Sequence, residues 1–296
     1  MSVHDTQKFK PWEQRYAEAK MEFERKFPQA FRVLEVGGVH PDKNEPMENP
    51  YKNNELDSED FRNVGEHCVS VGICANKIAE ELLSSDAIND EMYRNITERS
   101  LIHDTNKRFE VFRKKARGPD QSEGVYDKEA YETMQDLLRD QGVSSDLLGY
   151  IEKAGKETGH GSLRDFISIS DDGEIILNPE RSLEEMIVHL ADDMTSSPLP
   201  GTKGDTKFVT TGERMEAGKF EERYPFLYKE GLGFGENGKV MNIKDCEETD
   251  SNLSQVKTYA EYQEVVAKLI CEKLKSLMSL DSDEDSEEYI KKIVNN

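Results

Sequence analysis

Residues 59–83 hold the sequence feature that most constrains the fold. Apolar side chains recur there at helical spacing, at Phe61, Val64, Val71, Ile78 and Leu82. A stripe of this length predicts a long helix with one face in a core. Comparable patterns predict further helices over 11–27, 90–103, 127–141, 144–155, 181–196 and 254–280. We therefore expect an all-α fold.

Local signals refine this picture. Ser182 and Glu185 have the spacing of a capping box at the start of the helix over 181–196. Alternation around Asp-Asp-Gly predicts a small β-hairpin over 166–178. The Pro- and Gly-rich segment 28–58 is expected to be an irregular connector.

Three C-terminal segments complete the predicted organisation. The glycine-rich run 231–238 is expected to be a turn, and the acidic run at 281–288 a solvated, mobile tail. Residues 197–252 are rich in Gly and charge, which suggests an insertion or lid. The predicted divisions are an N-terminal helix and connector at 1–58, a core at 59–196, an insertion and C-terminal helix at 197–280, and an acidic tail at 281–296.

Composition excludes several classes of function. The formal net charge of −22 argues against long nucleic acids or an anionic membrane as the main partner, because both require a basic surface. No apolar run approaches the ~20 residues that span a bilayer, and the first residues lack the apolar region of a secretory signal. Four cysteines do not make a disulfide scaffold. These features favour a cytoplasmic protein.

Four of the six histidines lie in or beside patterned segments, and His67 is the first of these four. Val64, Val71, Cys74 and Ile78 lie at helical offsets that place them on its face, so its imidazole is expected to point inward. A buried imidazole needs a partner. A hydrogen-bonded core histidine and a metal ligand are the two alternatives for this residue taken alone.

Other candidate ligands end or occupy predicted helices. They are the His103-Asp104 pair and the set His189, Asp192 and Asp193. A divalent cation would satisfy such a group, and mixed imidazole and carboxylate donors suit Zn, Mn, Fe, Co or Ni, with Mg also open. The apolar stripe of the helix over 181–196 favours Asp193 as the inward carboxylate.

The ordered pattern His67, His103-Asp104 and Asp192 resembles the HD superfamily of metal-dependent phosphohydrolases. The resemblance lies in EHCVSVG (66–72), IHDTNK (102–107) and HLADDM (189–194). It implies an all-α HD-domain core and metal coordination by those four residues. The family pattern places the last ligand directly after Leu-Ala, which selects Asp192 over Asp193.

His160 extends the resemblance. Family members with two metals use extra histidines between the His-Asp pair and the final Asp, and His160 in KETGHGS falls in that interval. The other intermediate histidine of such proteins, expected near residue 130, is missing. The resemblance therefore implies one metal, or a second unequal site that includes His160.

A basic run follows the proposed metal pair. Residues 107–117 hold six basic residues and one acid, in a chain that is otherwise strongly acidic. Phosphate oxygens need cationic donors as well as a metal. Lys107 is the best candidate phosphate contact, followed by Arg108, Arg113 and Lys114. The alternative is a solvated helix face without a ligand.

Together these features predict a hydrolase that cleaves a small phosphorylated metabolite with a metal-activated water, and a nucleotide is the expected substrate. Asp104 and Lys107 are the expected catalytic residues, and Glu66, Asp193 or His189 would move the proton. Residues 210–226 either carry Arg214 and Arg223 to the substrate as a lid or pack on the core.

Two other functions remain open at this point. They are a di-iron oxygenase on the HD scaffold and a non-catalytic nucleotide-binding HD module. The family resemblance also suggests a homodimer.

Overall fold

The computed structural model is mostly helical, with small antiparallel sheets at its periphery. It describes residues 11–117, 128–145, 147–151, 162–198, 205–246, 252–279 and 283–296. Within this part of the chain no helix is long and apolar enough to cross a membrane. The predicted helix over 144–155 lies partly outside the described residues, and 147–151 are helical.

The helices are α1 (Trp12–Lys26), α2 (Pro28–Val36), α3 (Arg62–Ser84), α4 (Asp90–Ile102), α5 (Lys107–Arg117), α6 (Lys128–Asp140), α7 (Leu163–Phe166), α8 (Leu183–Met194), α9 (Thr211–Ala217), α10 (Phe220–Arg223), α11 (Phe226–Lys229), α12 (Tyr259–Leu277) and α13 (Ser286–Asn295). The strands are β1 (Met47–Asn49), β2 (Glu55–Asp57), β3 (Ile167–Ile169), β4 (Ile175–Leu177), β5 (Thr195–Ser196), β6 (Lys207–Phe208), β7 (Gly231–Phe234), β8 (Val240–Asn242) and β9 (Ser254–Thr258).

Helices α3, α4 and α8 pack on one another in the centre of the core. Gly72 explains how closely α3 and α4 approach, because a Cβ at that position would lie 2.7 Å from Leu101 Cδ2. This contact brings the end of α4, and with it His103, close to the His67 turn of α3. The packing of the three helices thus converges on the predicted ligands.

The start of α8 follows its sequence signal. Ser182 Oγ accepts a hydrogen bond from the Glu185 amide (3.2 Å), and Glu185 Oε2 accepts one from the Ser182 amide (3.0 Å). The capping box predicted from the sequence is confirmed, and so is the hairpin, in which Ile167 of β3 pairs with Leu177 of β4. The cap fixes where α8 begins and therefore which residues of its last turn face α3.

The segment 28–36 was predicted as part of an irregular connector and is instead helix α2. Pro28 stands at the first turn of the helix, where its missing amide hydrogen costs nothing. Ala30, Val33 and Leu34 are buried in the core. The apolar spacing therefore outweighed the proline signal.

The C-terminal segments also differ from the prediction. Gly231–Phe234 is the fully buried central strand of the sheet β8–β7–β9, not a turn. The acidic run leads into helix α13, whose Ile290 and Val294 are buried, so residues 286–295 are not a mobile tail. The segment 210–226 contains two short helices, α9 and α10. The division of the chain into domains stays a prediction.

Candidate metal centre

Three predicted ligands come together where α3, α4 and α8 meet. One candidate donor atom from each of His67, His103 and Asp192 lies within 4.8 Å of the other two. Asp192 Oδ1 is 3.0 Å from His67 Nε2 and 3.8 Å from His103 Nε2. The two rings meet edge to face, with centroids 5.3 Å apart. We call these three residues the HHD cluster.

His103 has one nitrogen committed to the backbone and one left for a ligand. Its Nδ1 donates a hydrogen bond to the Ser100 carbonyl (2.8 Å), which orients the buried ring. Its Nε2 is buried and has no hydrogen-bond partner in the described part of the chain. An imidazole held in this way has the geometry of a metal ligand whose far nitrogen is fixed by a carbonyl.

Asp192 is held in its charged form. Burial raises its pKa, but Arg214, His67 and His103 outweigh that effect and hold the pKa of Asp192 well below its usual range. His67, whose Nε2 faces Asp192, has its other ring nitrogen Nδ1 3.3 Å from Ser197 Oγ. The carboxylate of Asp192 is thus available as an anionic donor at neutral pH.

Asp104 lies beside the HHD cluster. Its Oδ2 is 3.9 Å from His103 Nε2 and its Oδ1 is 3.6 Å from Lys107 Nζ. Burial raises the pKa of Asp104, but Lys107 and His103 lower it more. The half-exposed Lys107 also reaches to within 3.7 Å of Glu110, and Asp104 raises the pKa of Lys107.

Asp193 belongs to a different, fully buried group. It accepts a hydrogen bond from Gln263 of α12 (2.7 Å) and contacts Arg214 (3.3 Å). His189 Nε2 lies 3.4 Å from its Oδ2, and the His189 ring stacks on Phe166. Burial raises the pKa of Asp193. The residue in the HHD cluster is therefore Asp192, which the family pattern selected. Asp193, which the apolar stripe of the helix favoured, is buried in the core instead.

A cavity of about 850 Å³ adjoins the cluster. Glu66, His67, Asp104 and Lys107 line it, and the proton-transfer role of Glu66 stays a prediction. Burial raises the pKa of Glu66. The cavity is large enough for a small phosphorylated molecule.

Two predicted phosphate contacts are structural residues instead. Arg108 is buried, and its guanidinium donates hydrogen bonds to the carbonyls of Gly38, Glu45 and Asp57. Arg113 is also buried, and it pairs with Glu129 (2.9 Å) over the ring of Tyr51. Helix α5 turns this face into the core because Phe109 and Phe112 share it.

The remaining predicted residues are easily placed. Lys114 is exposed and does not line the cavity, so Lys107 is the one cavity-lining residue among the described side chains of the basic run. His160 lies outside the described residues. Whether a second ion binds there stays a prediction.

The cavity is also lined by residues from outside the predicted ligand segments. Arg214, on the capped helix α9, and Arg223 both line it, and Met215 and Phe220 of the same segment are buried in a cluster with Ala260 of α12. The segment therefore both packs on α12 and reaches the cavity. Trp12 and Tyr16 from α1 were missed altogether. Their spacing of one helical turn was the available signal, but it does not say what the helix packs against.

Comparison of the chain with protein-family models, with curated proteins and with solved structures gave no match.

Proposed function

We propose that this protein is a metal-dependent phosphohydrolase that acts on a small phosphorylated metabolite, as its resemblance to the HD superfamily implies. The observation that carries the proposal is the HHD cluster beside a cavity that also holds basic side chains. Donors for a cation and donors for a phosphate are thus found in one place.

The donor set suits a divalent transition metal. His67 and His103 offer imidazole nitrogens, Asp192 offers a carboxylate, and the buried Nε2 of His103 otherwise lacks a partner. Asp104 is close enough to His103 to join them after a small side-chain rotation. When bound, such an ion supplies a Lewis acid and a water of lowered pKa.

The surrounding side chains fit a phosphoryl group and a proton. Lys107 and Arg214 carry positive charge at the cavity wall close to the cluster, where they would stabilise charge on phosphoryl oxygens. Glu66 lines the same cavity with a raised pKa, which suits a residue that accepts and returns a proton. A nucleotide is the substrate class we propose, and the cytoplasm the proposed location.

The test is phosphate release from a panel of nucleotides and sugar phosphates with Mn²⁺, Co²⁺, Ni²⁺ or Mg²⁺. We expect metal-dependent release that is lost in a variant with both His103→Ala and Asp104→Ala. The exposed Lys114→Gln variant is the matched control and should keep full activity.

Other outcomes point to the other functions. Tight nucleotide binding without turnover would identify a non-catalytic nucleotide-binding module. Two irons per chain with oxygen consumption would identify an oxygenase. Absence of both metal binding and phosphate release would contradict the proposal.

A further inference from the structure

Two aromatic side chains of the N-terminal helix line the cavity beside the HHD cluster. Trp12 and Tyr16 lie one turn apart on α1, with ring centroids 5.9 Å apart and planes tilted by 51°. Phe208 holds the indole edge to face at 5.6 Å. Both rings are only partly buried, so each keeps surface that a ligand in the cavity can cover.

A second aromatic pair lines the same cavity. Phe220 and Tyr224 meet edge to face with centroids 5.3 Å apart. Arg214 lies over the Phe220 ring (5.4 Å) and Arg223 over the Tyr224 ring (5.1 Å). Aromatic and guanidinium surfaces of this kind accept a flat heterocycle without requiring a particular base.

The charges of the cavity limit how many phosphates it accepts. Among the described residues, its lining includes three basic side chains, Lys107, Arg214 and Arg223, and four acidic side chains, Glu13, Glu66, Asp104 and Asp205. Lys107 already contacts Asp104, and Arg214 already contacts Asp192. This balance favours one phosphate group near the cluster and disfavours the larger negative charge of a triphosphate.

We propose that Trp12 and Tyr16 form the base-binding wall of a site for nucleoside monophosphates, with the phosphate toward the HHD cluster. The inference rests on the proposed function for the placement of the phosphate. It adds two points to the proposed function. Helix α1 recognises the aromatic base of the substrate, and the site prefers one phosphate group over three.

Trp12 is the only tryptophan of the chain, so its fluorescence reports directly on this wall. The full chain is titrated with adenosine monophosphate, uridine monophosphate and ribose phosphate, in EDTA and again with Mn²⁺. We expect both nucleotides to change the emission in a saturable manner and ribose phosphate to leave it unchanged. An emission that responds equally to ribose phosphate, or to none of the three, would overturn the proposal.

Variants separate stacking from folding. By titration calorimetry, Trp12→Ala and Tyr16→Ala should each weaken nucleoside monophosphate binding at least about fivefold, and Trp12→Phe should keep most of the affinity. Ribose phosphate binding should not change in any of them. Unchanged nucleotide affinity in both alanine variants would contradict the base-binding wall, and thermal unfolding confirms that each variant is folded.

Different results would contradict the phosphate preference, the base-binding wall and the proposed function. Adenosine triphosphate should bind at least about fivefold more weakly than the monophosphate, and equal or tighter binding would remove that preference. Nucleotide binding without hydrolysis would contradict the hydrolase and leave the base-binding wall intact. Hydrolysis of sugar phosphates at the same rate in the parent protein and in Trp12→Ala would support the hydrolase and contradict the base-binding wall.

Discussion

Asp192 and Asp193 are neighbours in one helix and have opposite environments. Asp192 belongs to the HHD cluster, where positive groups hold its pKa well below the usual range. Asp193 points into the core against Gln263 and His189, where burial raises its pKa. A rotation of about 100° along the helix separates the two positions.

The difference shows how one helix can serve both a site and the core. Next to the Asp192 carboxylate, the buried Nε2 of His103 has no hydrogen-bond partner among the described residues, and His67 lines the cavity, so a ligand can reach this group. The carboxylate of Asp193 instead ties α8 to α12 through Gln263. We therefore expect substitutions of the two residues to affect different measurements.

The largest expected effect is on metal binding. Asp192→Asn should weaken Mn²⁺ binding more than about hundredfold and abolish phosphate release, because it removes the anionic donor of the cluster. Asp193→Asn should keep Mn²⁺ affinity within a few-fold. Titration calorimetry on both variants makes the comparison, and equal losses would mean that the two aspartates do not have separate roles.

The next effect is on stability. Asp193→Ala should lower the free energy of unfolding by about 1–3 kcal/mol, because it leaves the Gln263 amide and the His189 imidazole buried with a lost partner. Asp192→Ala should cost less in the metal-free protein, since the Asp192 side chain is 13% exposed and that of Asp193 only 2%. Urea denaturation in EDTA measures both. A more destabilised Asp192 variant would reverse our assignment of the structural residue.

A smaller effect is expected from pH, through His103. Burial lowers the pKa of His103, but Cys68, Asp104 and Asp192 outweigh it and raise the pKa to about 9. An ion must displace that proton, so Mn²⁺ affinity should rise about tenfold per pH unit as the pH approaches 9. Calorimetry across this range tests the slope, and a flat profile would mean that His103 is not a ligand.

The same shift has a consequence for stability. A histidine whose pKa is raised on folding stabilises the protein fully below its unfolded pKa of about 6.5, and this contribution is lost as the pH rises through about 9. The metal-free protein should therefore become less stable over that interval. In His103→Gln the decline should be smaller, as urea denaturation at several pH values will show.

The sequence predicted the site better than it predicted the periphery. The long helix patterns and the capping box at Ser182 are local signals, and α3, α4 and α8 follow them. The grouping of His67, His103 and Asp192 was implied by the family resemblance, not by a local pattern. Segment 28–36 and strand Gly231–Phe234 were missed because Pro and Gly were given more weight than burial. Burial depends on neighbours distant in sequence, and no local pattern reports it.

The arginines show the same limit in the site itself. Arg108 and Lys107 are adjacent in a basic run, and the run alone does not reveal that one is buried under backbone carbonyls and the other lines the cavity. Arg214 is more than twenty residues from Asp192, and only the packing of α9 brings them together. Residues contributed by distant elements are those that sequence reasoning finds last.

Arg214 is also where the two aspartates are coupled, and it gives the smallest predicted effect. Its Nη2 lies 3.5 Å from Asp192 Oδ1 and its Nη1 lies 3.3 Å from Asp193 Oδ1. A cation at Asp192 competes with the guanidinium, whereas a phosphate in the cavity would attract it. Arg214→Gln should therefore tighten Mn²⁺ binding about threefold and weaken inorganic phosphate binding by a similar factor, as expected for a partly exposed ion pair.

Arg223→Gln is the matched control for this prediction. Arg223 lines the same cavity but donates to the Gly218 carbonyl and the Tyr224 hydroxyl, not to either aspartate. Its loss should weaken phosphate binding and leave Mn²⁺ affinity unchanged in calorimetric titrations. Weaker Mn²⁺ binding in Arg214→Gln would show that the guanidinium holds Asp192 in position for the ion, and the competition between the two cations would have to be abandoned.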